Sequence, residues 1–138
     1  MNNYKEIEKL IEGKTFKEQM QIVKNYVIFD SPCNIGVYQI ENFYIGKSGN
    51  ILSRTTHHIK EVIKTEDSKV VYNKEKLYLI KSALEKGKLT VKHLDKNPKE
   101  EVHYIEKLYS ILPLTNIEFV TDKMILARRR TVNKLLKN

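Results

Sequence analysis

The chain has 138 residues, enough for one domain with a short appendage and for a core that holds without staples. Its composition, 41% hydrophobic and 30% charged, is that of a globular protein. Its apolar runs, such as Tyr26-Val27-Ile28-Phe29, are far too short to cross a bilayer, and the lone Cys33 can form no internal disulfide. A reducing cytoplasm and no membrane partner are therefore expected, and acidic residues interrupt the opening segment where a signal peptide would be apolar.

The first predicted element is a helix over 3–12, with Ile7, Leu10 and Ile11 on one face and Gly13 as its stop. Thr15 and Glu18 form a capping-box pattern that opens a second helix through about Phe29, and Ser31-Pro32-Cys33-Asn34 breaks it. The β-prone runs Gly36-Val37-Tyr38-Gln39-Ile40 and Phe43-Tyr44-Ile45-Gly46-Lys47 read as a hairpin about Glu41-Asn42. A helix follows over about 50–64, with Ile51, His58, Ile59, Val62 and Ile63 near its inner face. The polar residues 65–69 read as loop. Asn73 caps a helix over 74–86 striped by Leu77, Ile80 and Leu84, which Gly87 ends. Leu89–Leu94 reads as a third strand. Pro98 leads into a helix over 99–112 with Val102, Ile105, Leu108 and Leu112 inward. A last helix covers about 122–137. The order predicts an α+β fold with a small three-stranded antiparallel sheet flanked by helices.

The net charge of +8 is unevenly spread: residues 1–34 balance, while residues 121–138 hold six basic side chains and one acidic. That excess suits a polyanionic partner. Within the hairpin, a two-residue turn would put Tyr38 and Tyr44 on opposite faces, and a three-residue loop would put them on one. Arg54 and His58 are four apart, hence on one helix face, where a guanidinium can hold a phosphate oxygen and an imidazole can move a proton. Glu101 sits at the edge of an inward stripe, where a carboxylate can ligate a hard cation. Taken singly, these are also ordinary strand tyrosines, a solvated helix face and a surface ion pair.

Together they resemble a known family. Gly36-Val37-Tyr38 stands where GIY-YIG endonucleases have Gly-Ile-Tyr, and Tyr44-Ile45-Gly46 supplies the second half of that name. The family's helix arginine matches Arg54, a histidine one turn later matches His58, its glutamate matches Glu101 with Tyr104-Ile105 after it, and its late asparagine matches Asn116. The resemblance covers about residues 34–118. It implies a nuclease-like domain over 34–120; outside it lie a helical extension over 1–33 and a basic C-terminal helix over 121–138, expected to pack on the domain. Only five residues separate Tyr38 from Tyr44, fewer than the family usually has, which implies a tight hairpin.

The resemblance implies a metal-dependent DNA endonuclease. Glu101 would hold one Mg²⁺ or Mn²⁺, and Arg54 would bind the scissile phosphate. Tyr38 would be the general base with His58 as an alternative. Tyr44 would position water or phosphate, and Asn116 would orient the substrate or the Glu101 region. DNA would be the partner, with Lys47, Arg128, Arg129 and Arg130 candidate backbone contacts. Three consecutive helical arginines cannot all face one way. The rival reading is a catalytically inactive module of the same fold that binds DNA or protein. His57, His58, His93 and His103 lack zinc spacing, Cys33 lacks a hydrolase context, and Gly46 and Gly49 do not form a phosphate loop. The oligomeric state, monomer or homodimer, is left open. So is the setting among phages, mobile elements and restriction systems. The first helices are candidates to dimerise, to occlude the site or to complete the core.

Overall fold

A computed structural model of the protein describes residues 2–65 and 73–137. Its elements run α1 (Asn3–Ile11), α2 (Phe16–Val23), β1 (Val27–Phe29), β2 (Gly36–Ile40), β3 (Tyr44–Ser48), α3 (Ile51–Thr65), α4 (Lys74–Lys86), β4 (Leu89–Asp95), a 3-10 turn (Pro98–Glu100), α5 (Glu101–Leu108) and α6 (Asp122–Lys137). The class is α+β. The loop expected over 65–69 lies, beyond Thr65, outside the described residues.

The sheet has four strands in the order β1-β4-β2-β3, mixed rather than three-stranded and antiparallel. The added strand comes from the segment expected to continue the second helix. The Thr15–Glu18 capping box does open α2, but α2 stops at Val23. Val27–Phe29 then pairs in parallel with Leu89, Thr90 and Val91. All three of its residues are β-branched or aromatic, and the ladder that β4 offers outweighs a weak helical preference.

The hairpin closes with Ile40 opposite Tyr44, leaving the three-residue loop Glu41-Asn42-Phe43, with Glu41 in the left-handed region at φ 48°. Of the two possible turns this is the one that sets Tyr38 and Tyr44 on the same face. Gly36 has φ 123°, and a Cβ there would collide with the Asp95 carbonyl, beside the register shift between β2 and β4 at Val37 and Tyr38. Only glycine fits that backbone.

Alternation along β2 feeds two cores. Tyr38 and Ile40 join Ile7, Val23, Ile59 and Ile80 on one face, and Val37 joins Ile45, Ile105 and Leu114 on the other. Residues 2–33 complete the first core, with Tyr4, Ile7, Ile11, Val23 and Val27 all buried in it. Asn73 caps α4 as expected, and Leu77, Ile80 and Leu84 are buried. The helix expected over 99–112 is shorter: Pro98 starts a 3-10 turn, and α5 ends at Leu108. Among the described residues no helix is long and apolar enough to cross a membrane.

Candidate active site

β3 is an edge strand, and an unpaired edge invites association. Here the connection between α5 and α6 covers it. The Thr115 backbone N–H and hydroxyl both donate to the Phe43 carbonyl, at 2.7 and 2.9 Å. Asn116 Oδ1 accepts from the Ile45 N–H at 3.0 Å, and its Nδ2 donates to the Ile45 carbonyl at 2.7 Å. The amide of Asn116 thus acts as a one-residue strand partner for the Tyr44-Ile45-Gly46 motif. Asn73 Nδ2 ties the same segment to α4 through the Thr115 carbonyl at 3.0 Å.

Beside this clamp lies a cleft of about 150 Å³. Tyr44, Arg54, Glu101 and Asn116 line it, as do Glu61, Lys76 and Glu118. Tyr38 and His58 do not line it. They are buried behind Tyr44, whose ring centroid is 6.5 Å from that of Tyr38 and 5.2 Å from that of His58. Tyr38 Oη and His58 Nε2 are 2.8 Å apart and hydrogen-bonded. A Cβ on Gly46 would stand 2.5 Å from Tyr38 Oη, so the glycine of the second motif half makes room for the phenol of the first.

Burial governs the charges. It is the main cause that pushes the Tyr38 phenol well above the ordinary 10, with Tyr44 adding to it and the Arg54 guanidinium opposing it. His58 is driven well below 6.5 by burial and then by Lys76, Arg54 and the neighbouring His57, so the ring is neutral at neutral pH. Its Nδ1 is buried without a hydrogen-bond partner. Glu101 is raised above 4.5, by burial first; Lys47 pulls it down, Glu118 raises it and Arg54 lowers it. Lys76 is lowered from 10.5 by burial, opposed by Glu61 and assisted by Arg54. Arg54 itself is exposed, and its charge reaches Tyr38, His58, Lys76 and Glu101 alike.

The basic residues divide. Lys47 is exposed on β3. Arg128 is committed to backbone: Nε donates to the Tyr109 carbonyl at 2.6 Å, and Nη2 to those of Leu112 and Leu114 at 3.1 and 3.2 Å, with the guanidinium 3.4 Å from the Tyr109 ring centroid. It closes the end of α5 and steadies the approach to Asn116. Arg129 and Arg130 are exposed.

Two lining residues were legible in the spacing and not singled out. Lys76 precedes Ile80 by four and Leu84 by eight, which places it on the buried stripe of α4. Glu61 follows Arg54 by seven and His58 by three, on their face of α3. Glu118 lies in irregular chain where periodicity gives no signal. Among the described residues no three His, Cys, Asp or Glu side chains gather as a metal cage. Comparison with protein families, with curated proteins and with solved structures finds no match.

His58 also sets a pH dependence. Unfolding returns the ring to about 6.5, so the unfolded chain binds the extra proton first. Stability should therefore be full above about 6.5 and fall as pH drops below it toward the depressed folded value. Urea midpoints taken between about pH 7.5 and 5 are expected to fall less in His58→Gln than in the wild type. Equal falls would assign the acid sensitivity elsewhere.

Proposed function

We propose that the chain is a metal-dependent DNA endonuclease that hydrolyses a phosphodiester in this cleft with one divalent cation, Mg²⁺ or Mn²⁺. One observation carries the reading: the exposed Arg54 guanidinium acts on a buried carboxylate, Glu101, and on a hydrogen-bonded phenol–imidazole pair, Tyr38 and His58. An anion-binding cation and a metal-binding oxygen donor facing one cleft are parts that phosphodiester hydrolysis needs.

The donor set suits a hard cation. Glu101 is buried with Glu118 beside it, and a carboxylate whose ionisation is opposed by burial and by a like charge gains most from a bound cation. Glu101 would hold the ion with water filling most of its shell, and the ion would supply charge to polarise the phosphate and steady the leaving oxygen. Arg54 binds the scissile phosphate as negative charge builds on it. Tyr44, at the cleft wall, orders the attacking water. Tyr38 and His58 are enclosed behind Tyr44 and do not face the cleft, so neither meets that water directly, and the pair backs the Tyr44 ring. Asn116 holds the strand that carries Tyr44. Lys47, Arg129 and Arg130 contact the DNA backbone and make binding salt-dependent.

Supercoiled plasmid incubated with the protein and Mg²⁺ or Mn²⁺ should be nicked or linearised, and chelation should stop the reaction. Binding without cutting at any metal concentration would make the chain a DNA-binding module instead.

A further inference from the structure

Lys76 is a cation on a core stripe. It is 4% exposed, with Leu77, Ile80 and Leu84 of the same helix in the main core, yet its side chain lines the cleft and its Nζ stands 4.8 Å from the centroid of the Tyr44 ring. An apolar side chain would occupy that position without the cost of burying a charge. Two features offset the cost: the face of the Tyr44 ring and the carboxylate of Glu61. Both also fix the ammonium in place before any ligand arrives. The Arg54 charge is felt at Lys76, so two cations of different geometry serve one cleft of about 150 Å³. Like charges held close repel, and a phosphate between them relieves that repulsion. A space of this size takes one phosphate and its ester oxygens rather than a base pair.

We infer that Lys76 is a second phosphate-binding residue of the cleft, its ammonium meeting a non-bridging oxygen of the phosphodiester that Arg54 holds. The inference rests on the endonuclease reading. Arg54 supplies the fork that orients the phosphate, and Lys76 supplies a point charge that follows it as charge develops.

The test uses the full chain, a short DNA duplex bound in Ca²⁺ over a range of salt, and plasmid cleavage in Mg²⁺. Lys76→Met should stay folded, with a melting temperature at or above that of the wild type, since a buried charge is gone. The slope of log K against log salt should fall by about 0.9, and turnover by about a hundredfold. Lys76→Arg should restore the slope. Lys86→Met, about 15 Å further along the exposed end of α4, should change neither turnover nor slope. If Lys76→Met does not fold, Lys76→Gln takes its place. A folded Lys76→Met or Lys76→Gln that binds with the wild-type slope and cuts at the wild-type rate overturns the inference and leaves the nuclease reading standing. A wild type that neither binds nor cuts overturns both.

Discussion

Glu101→Gln is expected to lower metal-dependent cleavage by about a thousandfold or more while fold and DNA binding persist. The carboxamide has nearly the same shape and removes the charge that would hold the cation. The fold should tolerate it well, because the native carboxylate is itself strained by its setting: burial first, then Glu118, raise it above 4.5. The sign follows by linkage. A carboxyl group raised in the folded state favours folding when protonated, so its contribution is full below the unfolded value near 4.5 and is lost as pH rises through the folded value. At neutral pH the metal-free wild type should therefore melt no higher than Glu101→Gln, and the two should converge in acid. Mg²⁺ or Mn²⁺ should then raise the wild-type melting temperature and leave that of Glu101→Gln unchanged. Thermal melts with and without metal, run beside plasmid cleavage, check both halves. Full metal-dependent cutting by Glu101→Gln would remove this carboxylate from the mechanism.

Arg54→Gln should cost turnover about a hundred- to a thousandfold, with a smaller loss of DNA affinity. The side chain is exposed, so its removal should leave stability within about 0.5 kcal/mol. Arg54→Lys should recover only part of the rate, because one ammonium cannot reproduce a two-pronged contact with phosphate. A second readout separates this role from a general loss of positive charge. Arg54 is one of the cations that hold His58 below 6.5, so Arg54→Gln should move the imidazole pKa upward, and Arg54→Lys should move it less. Imidazole titration by NMR measures that directly. An unshifted His58 in Arg54→Gln would place the guanidinium away from the Tyr38–His58 pair.

The parts of the fold that were legible in the sequence are those fixed by local spacing. The apolar stripes of α3 and α4, the Thr15–Glu18 box and the Asn73 cap all depend on residues within a few positions of each other. β1 was not legible, because Val27–Phe29 continues an acceptable helical pattern and its partner, Leu89–Val91, is remote in the chain. The hairpin register was half legible. The sequence allowed two turns, and the left-handed Glu41 that selects one of them has no strong local signature. In the site, Tyr44, Arg54 and Glu101 reach one cleft. Tyr38 is enclosed because both sheet faces are covered, which no local pattern reveals. The same limit applies to Asn116 and Arg128, whose polar groups bind backbone brought near by the fold.

The central claim is that one cleft beside the β3 edge seats both the divalent cation and the scissile phosphate. A crystal structure of the protein with Mn²⁺ and a short duplex, read by the anomalous signal of the metal, tests it most directly. The account predicts manganese on the Glu101 carboxylate and a backbone phosphate between that ion and Arg54. Manganese bound elsewhere, or a duplex lying on another face with this cleft open to water, would contradict it.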